Sequence, residues 1–186
     1  PVYSIKKNEF IAVPKRIKIE AEDFFSPDFA YLCGLIASDG RIQINKRRAN
    51  TCFYNTDELL VEIYKEKMKD LGFTYSTHIQ KKGRESHIRN KKVLSKKDVY
   101  NVYNSRKEFA QKLISFGVSK GNKSTINPLN KKILTYSERT LSNFLKGVFD
   151  GDGSIRLNPI EIILTTGIEK NAIDRKSTRL NSSHYS

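Results

Sequence analysis

The sequence predicts an α+β fold of two related units, each ordered helix, hairpin, helix, hairpin, helix (αββαββα). The leading helices should pack together, and the antiparallel hairpins should spread into a saddle. Two observations carry this. YLCGLIASDGRIQIN, residues 31 to 45, aligns with FLKGVFDGDGSIRLN, residues 144 to 158, at a constant offset and without a gap. In both, an apolar helical run ends in Asp and Gly and passes straight into the alternation of a half-buried strand. The second unit is incomplete: soon after its return strand, at 160–165, the sequence changes character.

Ser26 before Pro27 combines a capping hydroxyl with a proline at the first helical position, so a helix should run from Pro27 to about Ser38, stopped by Gly40. Residues 41–45 alternate as a strand, 46–49 turn, and 50–55 return. Asn55 with Glu58 reads as the opening of a second helix carrying Leu60, Ile63, Tyr64, Met68 and Leu71 on one face, closed by Gly72. Residues 73–79 and 98–104 read as strands, and Ser105 with Glu108 as a capping box for a helix bearing Phe109, Leu113 and Phe116, stopped by Gly117. A polar connection containing Lys123 and Pro128 leads to a helix over 137–151, after which the strand pattern restarts at Ser154. The predicted division is an N-terminal extension (1–25), a first repeat (26–136), a truncated second repeat (137–173) and a tail (174–186). Residues 174–184, DRKSTRLNSSH, resemble a one-frame translation of a sequencing adapter and are excluded as non-native.

A net charge of +14 and a pI near 9.7 favour a polyanionic partner. Removing the tail, with three basic residues and one acidic, leaves +12. Residues 80–97 hold eight Lys or Arg and one Glu, a solvated loop or one lying along phosphates. The longest apolar run, residues 29–37, is far below the roughly 20 residues of a membrane span, so no membrane partner is expected. Cys33 and Cys52 lie in apolar segments without metal-ligand spacing and read as reduced packing residues. With no signal peptide and Pro1 rather than Met at its start, the sequence reads as an intracellular fragment.

The two copies share Leu32 and Leu145, Gly34 and Gly147, Asp39 and Asp152, Gly40 and Gly153, Ile42 and Ile155, and Asn45 and Asn158. A glycine inside an apolar helix admits a close neighbour, and the natural neighbour is the other copy. Paired about a twofold-like axis, the helices bring Asp39 and Asp152 together at their carboxyl ends. Two carboxylates among helix C-terminal partial charges are unfavourable unless a cation or a proton compensates, and Mg²⁺ fits. Such a site suits phosphodiester hydrolysis. The strands that follow expose Arg41, Gln43, Asn45 and Ser154, Arg156, Asn158, residue types that read base edges from a β-ribbon in the major groove. Lys81, Lys82 and Arg84 are candidate phosphate contacts. A calcium-loop reading of 150–161 is disfavoured, because Ile155 stands where that loop requires glycine.

LCGLIASDG, residues 32–40, and LKGVFDGDG, residues 145–153, both resemble the LAGLIDADG motif of homing endonucleases, and the similarity extends over about residues 29–166. The resemblance implies a sequence-specific, Mg²⁺-dependent endonuclease acting on double-stranded DNA, intron-encoded or embedded in an intein, and a pseudo-dimeric monomer when complete; with its second repeat truncated, this chain is expected to bind DNA poorly and cleave little. By motif match Asp39 and Asp152 are the metal-binding catalytic acids. GNKSTINP, residues 121–128, is similar to the segment that supplies an active-site lysine, which gives Lys123. Ala37 departs from the motif's first acid, whereas Asp150 keeps it. A non-cleaving DNA-binding regulator and an RNA maturase are the alternatives that the same motifs allow.

Overall fold

The computed structural model describes residues 24–88, 91–121, 130–157 and 160–164. Helix α1 (Pro27–Asp39) leads into the hairpin β1 (Gly40–Ile44) and β2 (Ala49–Asn55), then α2 (Glu58–Asp70). Four strands follow, β3 (Ser76–Gln80), β4 (Glu85–Ile88), β5 (Lys91–Leu94) and β6 (Val99–Asn104), and then α3 (Lys107–Phe116). A 3₁₀ turn (Lys131–Thr135) precedes α4 (Glu138–Asp152), β7 (Gly153–Leu157) and β8 (Ile160–Leu164). The α+β class and the helix–hairpin order are as the sequence predicts. The connection at 122–129 lies outside the described residues, as does everything beyond Leu164.

Helix α1 is the centre of the molecule, with all nine residues from Phe29 to Ala37 buried. A helix apolar on every face must be surrounded, and here α2, α3, the sheet and α4 surround it. Ser26 Oγ accepts from the Phe29 N–H at 3.3 Å with Pro27 at the first helical position, as predicted. Phe29, Phe109, Phe116 and Phe144 are fully buried, and Phe116 packs its ring on Phe29, Tyr136 and Phe144.

The main sheet has strand order β1-β2-β6-β3, antiparallel throughout. The register pairs Gly40 with Phe53 and Ile42 with Thr51, all turned toward the helices, and Arg41 with Cys52 and Gln43 with Asn50 on the opposite face. Ile42 is 1% exposed. In the second unit the copy of that residue behaves differently: Ile155 is 69% and Leu157 81% exposed. The expectation that each motif strand has one face in the core holds for β1 and fails for β7. The sheet containing β1 is backed by α1, α2 and α3, whereas among the described residues α4 is the helix that packs on β7.

Three local predictions are corrected. The cap of α2 is Asp57, whose Oδ1 accepts from the Leu59 and Leu60 N–H groups; Asn55 lies two residues upstream. At α3 no Ser105–Glu108 box forms: Arg106 is the N-cap without a side-chain bond, and Asn104 Oδ1 accepts from its N–H. The basic run 80–97 is not a plain loop, because it contains the β4–β5 hairpin, and Gly83, with φ +85°, lies in the turn that leads into it.

The seam between α1 and α4 is set by two glycines. A Cβ on Gly34 would stand 2.1 Å from the Phe144 carbonyl oxygen and 2.8 Å from the Val148 nitrogen; one on Gly147 would stand 2.2 Å from the Tyr31 oxygen and 3.0 Å from the Leu35 nitrogen. The contacts are reciprocal, because Phe144 and Val148 are the repeat counterparts of Tyr31 and Leu35. Backbone oxygens cannot swing aside as a flexible side chain can. Gly34→Ala should therefore cost about 1–3 kcal/mol of unfolding free energy, read as a fall in the urea midpoint at unchanged slope. A midpoint equal to that of the unaltered chain would show that the helices have room to spare.

Candidate metal and nucleic-acid site

Because the glycines set α1 and α4 in backbone contact, the two helices end side by side. Ser38 and Asp39, the last residues of α1, meet the last turn of α4: a Cβ on Gly151 would lie 2.0 Å from Ser38 Oγ and 3.5 Å from Asp39 Oδ2. Asp39 is half-buried at the α1 terminus, and Asp152 is exposed at the α4 terminus, next to Gly151. Each acid is followed by a glycine whose N–H closes the helix, Gly40 onto Ile36 O and Gly153 onto Phe149 O, before the chain turns into its strand. The motif aspartates thus stand where two helix C-termini and two strand origins converge.

Sequence reasoning missed the residue that holds Asp39. Asn55 lies two positions beyond the Phe53–Gly40 pair, and its Nδ2 donates to Asp39 Oδ2 at 2.9 Å. Its Oδ1 accepts from the Asp57 N–H at 2.8 Å, so the amide is fixed at both ends and ties the acid to the start of α2. The signal that could have found it is register: the last residue of β2 falls beside the last residue of α1.

The earlier acid of the second motif, Asp150, is held differently. Asp150 Oδ2 accepts from the Tyr31 hydroxyl at 2.7 Å, across the helix seam. Burial first, and then the Asp150 carboxylate, push the Tyr31 phenol well above its usual range, so it stays protonated and donates. Lys123 and Asn158 lie outside the described residues; Gly121, two residues before the lysine, donates its N–H to Ile42 O at 2.9 Å.

On the face of the sheet away from the helices, Arg41 and Gln43 are exposed as predicted. Asn45 is exposed, but its Oδ1 accepts from the Arg47 and Arg48 N–H groups at 3.0 and 2.7 Å, so it builds the β1–β2 turn. Lys81 Nζ lies 2.9 Å from Asp98 Oδ2, and Asp98 Oδ1 takes the Lys82 N–H. The pairing raises the Lys81 ammonium and lowers the Asp98 carboxyl from their ordinary values. Lys82, Arg84 and Arg156 are exposed. The register adds residues that sequence reasoning passed over: Arg41, Cys52, Tyr103 and Ser76 form one row across the four strands, with Asn50 beside Gln43.

Among the described residues, no group of three or more His, Cys, Asp or Glu gathers to hold a metal, and no helix is long and apolar enough to cross a membrane. Both cysteines are free and buried. Burial pushes the Cys33 thiol well above its usual range and the Cys52 thiol up to about 11.

An α+β fold whose two glycine-bearing helices pair and end in acids over an open polar sheet is thereby defined. Residues 26–112, from the start of α1 into α3, match the model of the LAGLIDADG-like domain. The fold is similar to that of mesophilic variants of the homing endonuclease I-DmoI, with a TM-score of 0.52 and 16% identity over 83% of this chain and 72% of that one. A variant of I-DmoI in complex with its target DNA in the presence of Mn gives 0.51 and 16% over 83% and 74%. The N-terminal LAGLIDADG domain of DUF199/WhiA gives 0.45 and 20% over 83% and 66%. Across the I-DmoI structures the chain spans between 58% and 75% of that protein's chain. At these identities the likeness is one of fold. No curated protein matches the chain.

Two measurements test the site. Asn55→Ala releases Asp39 and the Asp57 N–H together, and should cost about 1–2 kcal/mol by denaturant titration; a loss below a few tenths would mean the amide is not a structural tie. Neither thiol should react with a thiol-specific chromophore at pH 8 in the native chain, and both should react in denaturant. Rapid native labelling of either would contradict the burial described.

Proposed function

We propose that the chain is a site-specific endonuclease of the homing type, hydrolysing phosphodiester bonds of double-stranded DNA with a divalent ion held by Asp39 and Asp152. The observation that carries this reading is the glycine seam, which delivers Asp39 to the last turn of α4. The donor set suits a hard cation: carboxylates stand at two helix C-termini, where the helix dipoles add partial negative charge, and the soft thiols are buried elsewhere. Two carboxylates supply only part of an octahedron, which fits Mg²⁺ with waters and phosphate oxygens completing it. When bound, such an ion polarises a phosphoryl oxygen and eases deprotonation of water.

The remaining work falls to the chain's own residues. Asn55 holds Asp39 in place through Oδ2. The charge of +14 draws the duplex in, and Lys82, Arg84 and Arg156 face its phosphates. Arg41 and Gln43 read base edges, with Tyr54, Tyr103 and Asn50 as neighbours on the same sheet face. Asn158, the repeat counterpart of Asn45, would contact DNA and Lys123 would serve as the active-site lysine, as the motif resemblance implies. In its complete form the protein is a pseudo-dimeric monomer, the two motif helices forming its internal interface.

Incubation with a randomised duplex library and Mg²⁺, followed by sequencing of cut ends, tests the reading. Discrete cut sites are expected. Asp39→Asn should lower cleavage about a hundredfold or more while duplex binding in Ca²⁺ changes little. Binding should also weaken steeply with salt. Specific binding that is indifferent to Asp39→Asn, with no cutting of any library member, would identify a DNA-binding regulator. Selective binding of structured RNA over duplex DNA would identify a maturase.

A further inference from the structure

The closest contacts of the α1–α4 seam do not distinguish its two helices. Gly34 on Phe144 and Gly147 on Tyr31 are the same contact made in opposite directions. Two α1 helices, or two α4 helices, from separate chains would satisfy those glycines equally well. Selectivity must then rest on positions where the copies differ.

Three contacts between such positions cross the seam. The Tyr31 hydroxyl donates to Asp150 Oδ2 at 2.7 Å, and the counterparts of this pair are Phe144 and Ala37, both buried and both apolar. Lys146 Nζ stands 5.5 Å from the Tyr31 ring centroid, and its counterpart is Cys33. Ser38 fills the space that Gly151 leaves, since a Cβ on Gly151 would stand 2.0 Å from Ser38 Oγ and 2.7 Å from Ser38 Cβ. Ser38 Oγ is held in that space by donating to Leu35 O at 2.9 Å and Gly34 O at 3.2 Å.

We infer that Tyr31–Asp150 and Ser38–Gly151 are a recognition code that selects α1–α4 pairing and rejects pairing of either helix with its own kind from a second copy of the chain. In an α1–α1 pair, Tyr31 faces Ala37 twice. The phenol, on a residue 3% exposed, loses its carboxylate, and Ser38 meets Ser38 in a space sized for glycine. In an α4–α4 pair, Asp150 faces Phe144 twice, and Gly151 faces Gly151 across a gap. Each self-pairing thus loses a charge-assisted hydrogen bond and also fails sterically, in opposite senses. The code keeps both motif acids of one site on one chain.

The test uses the full chain and needs no nuclease activity. Gly151→Ser is expected to lower the melting temperature sharply. Adding Ser38→Gly on the same chain restores one serine and one glycine in reversed positions, and should recover most of that loss. In parallel, two differently tagged copies are co-expressed, one tag is captured, and the other is quantified. A chain carrying Tyr31→Phe, Ser38→Gly and Asp150→Ala should be captured by its second copy about tenfold more than the unaltered chain, its circular dichroism being unchanged. A reversed pair no more stable than Gly151→Ser alone, or a triple variant captured no more than the unaltered chain, overturns the inference.

Discussion

The structure depends on the backbone contact between α1 and α4. Side chains normally hold helix axes 8–10 Å apart, so direct approach requires their absence over a whole turn. Gly147 and Gly151, one turn apart on α4, meet that requirement with Gly34 on α1, and the small Ser38 side chain fits the space that Gly151 leaves. Once the axes are that close, the helix ends are also close, and whatever residue terminates each helix is delivered to a common point. The motif places an aspartate there and a glycine next, so that the chain can leave at once as a strand. The position of the acids therefore follows from the middle of the helices, about one and a half turns away.

The two units contribute unequally to the core. Helix α1 is buried on all sides, whereas α4 buries Thr140, Phe144, Gly147 and Val148 and leaves Leu145 and Phe149 more than a third exposed. Transfer of apolar area from water stabilises by roughly 25 cal/mol per Å², and β7 gains little of this with Ile155 and Leu157 in solvent. In the described residues α4 is thus a guest on the first unit's core. Its attachment relies on the seam and on Phe144 against Phe116, at 5.5 Å between ring centroids.

Much of this was legible in the sequence, for identifiable reasons. The Ser26–Pro27 start, the glycines and the terminal acids are local features whose meaning survives any tertiary context. Alternation placed Arg41 and Gln43 on the open face because one face of β1 is buried and the period of a strand is two. What the sequence left unread has a different cause. Asn45, Lys81 and Asn55 carry side chains that are chemically suited to several tasks, and the task was decided by a neighbour distant in sequence or in a turn. Arg47 and Arg48 amides claim Asn45, Asp98 claims Lys81, and Asp39 claims Asn55. The β4–β5 hairpin was hidden because its charge density masks strand alternation. The exposure of Ile155 was hidden because a pattern announces an apolar face and says nothing of whether a partner covers it.

The way Asp39 is held bears on what the site can do. A carboxylate at a helix C-terminus lies in an unfavourable field, and the simplest remedy is an ion pair with lysine or arginine. Asn55 is a neutral donor: it orients one oxygen of Asp39 without cancelling its charge. The Tyr31 hydroxyl does the same for Asp150. Asn55 and Tyr31 thus orient a carboxylate of each motif, Asp39 and Asp150, in a chain whose net charge is strongly positive. A polyanion is drawn to the basic surface and repelled at the acids unless a cation lies between them. On the proposed reading, that opposition of fields would couple metal and nucleic acid at one place, because each would make the other's binding less costly.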